Sequence, residues 1–176
     1  MTDPDSAAAA SARLCATCGM CCDGVLFHSV ELQKGDSSRA LAALGLKLRR
    51  KKGVEFFLQP CSAHREEAGT CACTIYDNRP MRCRLFDCRQ LRGVAAAEIT
   101  ETEALEKIRE ARARVAEVTA LMDQIVETNP HRGLAHRVAN ALTLPKSDMV
   151  IASELHDRLD STMRELESFL QKEFRV

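Results

Sequence analysis

The sequence has no tryptophan, one tyrosine, and no cysteine beyond Cys88 in a chain of 176 residues. No uninterrupted apolar run approaches the ~20 residues that a membrane-spanning helix needs. The start, Met1 to Asp5 followed by alanines, lacks the basic and apolar regions of a secretory leader, so the chain is expected in the cytoplasm with no membrane partner. It also lacks net charge: 25 Lys+Arg stand against 25 Asp+Glu, which removes any global pull toward nucleic acid or acidic lipid. Disorder is excluded in turn by 45% apolar residues.

Against these absences stand nine cysteines. A reducing compartment argues against a disulfide framework, and an odd number would leave one thiol over in any compartment. The thiols therefore serve another chemistry. All of them lie between Cys15 and Cys88, and charge divides the chain in the same way. Residues 1–93 carry 14 basic and 10 acidic side chains, whereas residues 94–176 carry 11 and 15. Three regions are expected: a mobile leader over 1–13, a cysteine-cluster metal-binding module over 14–93 and a helical extension over 94–176. The expected fold class is α+β, an irregular metal-stapled module with short strands followed by helices packed on it.

Glycine and proline punctuate the cysteine module too densely for a large apolar core, so metal is the expected cross-link. Within it, Val25–Phe27 is expected as a strand, and Asp36 or Ser37 as the cap of a helix that runs to Leu44 with Gly45 beyond it. Lys47–Arg50 and Val54–Leu58 should form a hairpin around Lys51–Gly53. Farther on, Leu105, Ile108, Ala111, Val115, Val118, Met122 and Ile125 recur at helical steps, giving a helix over about 96–128. A shorter helix follows over about 132–142, with a break at 144–147. The last helix carries Ile151, Leu155, Leu159, Met163, Leu166 and Leu170 and is expected to lie antiparallel to the first. These two stripes could also serve a protein partner; packing on each other is the simpler reading, because it avoids the entropy of association.

The strongest motif is Cys15-Ala16-Thr17-Cys18-Gly19-Met20-Cys21-Cys22. Two residues between thiolates let a turn bring the sulfurs to ~2.3 Å from one ion. The overlapping C-x2-C-x2-C spacing is that of a run presenting three thiolates to an iron–sulfur cluster. Adjacent side chains diverge, so one of Cys21 and Cys22 is expected to face a second site or the far side of a cluster. Partners lie downstream at Cys61, Cys71, Cys73, Cys83 and Cys88. Arg79, Arg82, Arg84, Arg89 and Arg92 surround a single acid, Asp87, and can offset the negative charge of a thiolate site. His64 stands three residues after Cys61, a spacing open to zinc; a surface histidine is the simpler reading.

At these residues the chain resembles the YkgJ-like cysteine-cluster family, a zinc- or iron-chelating domain. Cys15, Cys18, Cys21 and Cys22 match its opening element and Pro60-Cys61 its Pro-Cys pair. Its pattern C-x-I-Y-x-x-R-P-x-x-C-R-x-[FY]-x-C is met by Cys73, Ile75-Tyr76, Arg79-Pro80, Cys83-Arg84, Phe86 and Cys88. The resemblance implies eight metal ligands, Cys15, Cys18, Cys21, Cys22, Cys61, Cys73, Cys83 and Cys88, and leaves Cys71 aside. It marks Arg79 and Arg84 as companions of the site. Tyr76 and Phe86, two of only seven aromatic residues, are expected as a small apolar floor under it. Pro80 should open a short helix holding Cys83.

Metal binding, by zinc or an iron–sulfur cluster, is the expected function. Two alternatives come from other classes. The resemblance extends to a flagellin lysine N-methylase, which would imply S-adenosylmethionine-linked methylation; no catalytic motif independent of the cysteines supports it. A structural-zinc interaction module is the other, with basic stretches at Lys47–Lys52 and Arg79–Arg92. Nucleic acid is the less expected partner: the Lys47–Lys52 run has no aromatics interleaved for base stacking and reads more simply as a solvated hairpin tip, and the Arg79–Arg92 stretch as charge compensation for the thiolates.

Overall fold

The computed structural model describes residues 4–125, 129–143 and 150–176. It is α+β, with short antiparallel strands in the first half and long helices in the second. The chain opens with α1 (Pro4–Cys18), continues through β1 (Ser29–Glu31), α2 (Ser38–Ala43), β2 (Leu48–Lys51) and β3 (Val54–Leu58), then β4 (His64–Glu67) and β5 (Thr70–Cys73). A 3-10 turn at Tyr76–Asn78 leads to α3 (Met81–Leu85) and α4 (Arg89–Ala95). The remainder is α5 (Glu101–Ile125), α6 (Leu134–Thr143) and α7 (Val150–Glu173). Among the described residues no helix is long and apolar enough to cross a membrane.

Local chemistry accounts for most of these elements. Ser37 caps α2 by accepting from the Ala40 amide at 3.2 Å. The β2–β3 hairpin turns at Lys52 and Gly53, with φ of 50° and 82°, the paired positive angles that match the twist of its strands. Leu48 and Val30 flank Phe57 in the resulting sheet, ordered β1-β3-β2, and put its apolar face inward. A second hairpin pairs β4 with β5.

The stretch expected as a mobile leader, 1–13, is helical from Pro4, and its Ala10 is buried. Alanine needs no apolar period to favour helix, since it loses no side-chain entropy there. Val25–Phe27 is not a strand: Val25 and Leu26 are buried in bends, and the strand forms at Ser29–Glu31. Pro80 stands just before the first turn of α3 rather than inside it. The expected helix end at 128 and the break at 144–147 fall outside the described residues.

Two apolar cores result. The larger runs from Leu14, Met20, Val25 and Leu26 through Ile108, Val118 and Met122 to Leu159, Leu166 and Phe174. It joins the opening cysteine turn directly to the long helices, and the boundary expected after residue 93 lies within α4. The helices α5 and α7 are antiparallel: Glu117 reaches Arg158, while Lys107 and Arg114 near the other end cover the Phe169 ring. The smaller core holds Leu41, Leu46, Phe57, Ala63 and Ile75 between the hairpins. Gly24 joins α6 to the module. Its φ of +92° and a Cβ position 2.8 Å from Gly133 Cα admit no side chain, and its carbonyl accepts from the Leu134 amide at 2.9 Å.

Candidate metal centre

Helix α1 delivers Cys15 and Cys18 on its last turn and then stops at Gly19, whose φ of 63° is left-handed. The chain reverses there: the Cys22 amide donates to the Gly19 carbonyl at 2.8 Å and the Leu26 amide to the Met20 carbonyl at 2.9 Å. Cys21 and Cys22 follow on this reversal. A backbone hydrogen bond of 2.7 Å from the Cys61 amide to the Cys22 carbonyl ties it to the segment after the cis Gln59–Pro60 peptide. Cys73 ends β5, Cys83 lies in α3 and Cys88 immediately precedes α4.

All nine thiols are free, and all nine line one cavity of about 830 Å³. Eight of them sort into two groups. Cys18, Cys21 and Cys88 pack on the larger core, whereas Cys61, Cys73 and Cys83 pack on the smaller one. Electrostatics assigns the remaining two. Cys15 is influenced by Cys88, and Cys22 by Cys61, Cys83 and Cys73; Cys21 is influenced by Cys18, by its chain neighbour Cys22, and by Cys88 and Cys15. The adjacent pair Cys21–Cys22 thus straddles the two groups, as the divergence of neighbouring side chains requires.

Burial dominates the protonation of these thiols. It pushes Cys18 and Cys83 up to about 12 and raises Cys15, Cys21, Cys22, Cys61 and Cys88, with neighbouring sulfurs adding to the effect. Burial thus favours the neutral form of each of these seven thiols. Positive charge opposes the shift: Arg79 favours the thiolates of Cys15 and Cys83, which belong to different groups, and Arg112 favours that of Cys18. Arg79 is held by stacking 3.6 Å from the Tyr76 ring centroid and by donating to the Tyr76 carbonyl at 2.9 Å.

Among the described residues no three Cys, His, Asp or Glu side chains have closed around one point in a way that could hold an ion. The sulfurs surround a shared space instead. As a donor set they fit a thiophilic metal: soft sulfur in two groups of four matches tetrahedral zinc and iron–sulfur ligation alike.

Other expectations divide. Cys71 stays apart from both groups, facing Arg112, Glu66 and Asp23. His64 is not a plain surface residue: it pairs with Cys73 across the second hairpin, and its Nε2 is buried without a hydrogen-bond partner. Phe86 meets Phe27 edge to face at 5.0 Å, but Tyr76 is 50% exposed and forms no floor. Its ring serves to hold Arg79. Arg89 and Arg92 donate to the carbonyls of Arg175 and Asp87. Sequence reasoning missed two groups. Arg112 of α5 reaches the opening turn, and buried Gln90, in the cavity wall, donates to the Glu173 carbonyl at 2.7 Å. Neither carries a local signal, because the partner in each case lies more than 80 residues away.

Residues 14–117 match the model of the CxxCxxCC family, described as "Putative zinc- or iron-chelating domain". No curated protein and no solved structure matches the chain. The matched span runs well past the last cysteine and takes in most of α5.

Proposed function

Because the chain belongs to this CxxCxxCC family, we propose that it binds metal through two four-cysteine sets, Cys15/Cys18/Cys21/Cys88 and Cys22/Cys61/Cys73/Cys83. The observation that carries this reading is the packing of six cysteines on two separate cores, three on each, with Cys15 electrostatically beside Cys88 and Cys22 beside Cys61, Cys83 and Cys73. Each set joins the opening turn to a different part of the chain. The first ties α1 to the start of α4, and the second ties Cys22 to the β-hairpins and α3. Binding requires the buried thiols to lose protons and draw together, so metal affinity rises with pH. Arg79, whose charge reaches a thiol of each set, offsets negative charge from both sides. His64 adds a nitrogen beside the second set.

A bound zinc would supply cross-linking, whereas an iron–sulfur cluster would add one-electron transfer. Free thiols in this number suit a reducing compartment, for which the cytoplasm is our reading. Anaerobic purification of the full chain with quantification of zinc, iron and sulfide tests the proposal. Two zinc ions per chain, or iron with matching sulfide and visible colour, is the expected result. A single zinc equivalent without iron would overturn the two-set reading, and less than one metal equivalent in both aerobic and anaerobic preparations would overturn metal binding itself.

The two sets also separate the cysteines by consequence. Cys18→Ser should lower metal content and thermal stability together. Cys71→Ser should leave the metal content unchanged, because Cys71 lies outside both sets. Equal losses in the two variants, measured by metal analysis and thermal melting, would refute the ligand assignment.

A further inference from the structure

Arg112 enters the opening cysteine turn from the middle of α5. Its Nη1 is 2.5 Å from Asp23 Oδ2, its Nη2 donates to the Cys18 carbonyl, and it also bonds the Cys71 side chain. Asp23 is itself fixed, since its other oxygen accepts from the Val25 amide at 3.0 Å. One guanidinium therefore fastens both ends of the Cys18–Asp23 reversal, a task that needs a planar fork with several donors. Packing is tight here. A Cβ on Gly19 would sit 2.4 Å from Cys71 Sγ and 2.9 Å from Arg112 Nη2. The family span, which continues to residue 117 although the last cysteine is Cys88, contains this arginine.

We propose that Arg112 is a positioning residue for the first cysteine set: from α5 it holds the Cys18–Asp23 turn in the shape that metal binding requires, with Cys71 packed beneath it. The inference rests on the two-set reading. The second set draws only Cys22 from this turn and takes its other members from β5, α3 and the segment after Pro60. Loss of Arg112 should therefore weaken one site and spare the other. Cys71 acquires a role through this arrangement, as packing for the clamp rather than as a ligand.

The test is a stepwise titration of the reduced, metal-depleted full chain with zinc alone against a chromophoric competitor. Cobalt alone, read through its thiolate charge-transfer bands, provides a second probe. Cysteine alkylation, mapped by mass spectrometry, identifies which set is released. The unsubstituted chain should take two equivalents. Arg112→Gln should reduce the affinity of one of them ~10–100-fold, the range for a partner that orients metal ligands. Cys18, Cys21 and Cys88 should then become alkylated while Cys61, Cys73 and Cys83 stay protected. Arg112→Lys keeps the charge but cannot reach both anchors and should fall between. Arg13→Gln removes the exposed Arg13–Glu101 pair, which links the same two helices at 2.7 Å, and should change neither affinity. Unchanged affinities in Arg112→Gln, or equal weakening of both, would overturn the proposal. One equivalent in the unsubstituted chain would overturn the two-set reading instead. The affinity of that equivalent in Arg112→Gln would then decide the role of Arg112.

Discussion

Stripping the metal from the full chain under reducing conditions should unfold the segment between Leu41 and Cys83 and leave α5 and α7 helical. The smaller core has only Leu41, Leu46, Phe57, Ala63 and Ile75 as fully buried apolar side chains, flanked by two hairpins whose tips stand in solvent. A module of that size usually needs a cross-link, and structural zinc supplies on the order of 10–16 kcal/mol in small peptides. The long helices are differently placed. Ile108, Ala111, Val118 and Met122 of α5 are at most 2% exposed and pack with Leu159, Leu166 and Leu170 of α7, with no metal involved. Hydrogen exchange with and without metal should show amides of β2, β3, β4 and β5 losing protection by several orders of magnitude, with little change in the middle of α5. Uniform loss along the chain would mean a single cooperative unit. Unchanged protection of the hairpins would mean that the metal is not structural.

The division between what the sequence reveals and what it conceals follows the range of each interaction. Ser37 at the start of α2, the Lys52–Gly53 turn and the apolar steps of α5 and α7 are legible because cause and effect lie within a few residues. The strand Ser29–Glu31 is not: only Val30 is apolar, and the segment is extended because Ser29 and Glu31 pair with Leu58 and Phe56. Val25 and Leu26 looked more like a strand, but the Gly24–Gly133 contact turns them into the larger core. The cysteines show the same limit. Their adjacency at Cys21–Cys22 predicts divergence, toward a second site or the far side of a cluster. The grouping is hidden, because one group is nested inside the other in chain order: Cys88 packs on the same core as Cys18 and Cys21, and Cys61, Cys73 and Cys83 lie between. The packing of Cys18, Cys21 and Cys88 on one core and of Cys61, Cys73 and Cys83 on the other separates them.

Phe174→Ala should be the most damaging single change outside the cysteines, and its effect should reach the metal site. The ring is fully buried and packs 6.2 Å from Phe169, so its removal leaves a cavity worth ~3–5 kcal/mol. In a chain of this length that corresponds to a fall in the melting midpoint of roughly 6–20 °C. The backbone around Phe174 also anchors the start of α4. The Arg89 amide donates to the Phe174 carbonyl at 3.0 Å, Gln90 Nε2 to the Glu173 carbonyl at 2.7 Å, and Arg89 Nε to the Arg175 carbonyl at 2.5 Å. Cys88 immediately precedes these residues and caps α4, so its position on the larger core follows theirs. The amides of Gln90 and Leu91 also face its sulfur and favour the thiolate. Relaxation of the α7 end should therefore release Cys88 before any other member. Thermal melting followed at two signals separates the effects: thiolate-to-cobalt bands should show one site weakened and the other intact, while far-ultraviolet dichroism reports the shift of the helices. A normal melting midpoint, or equal weakening of both sites, would break the connection drawn between the C-terminal helix and the opening cysteine turn.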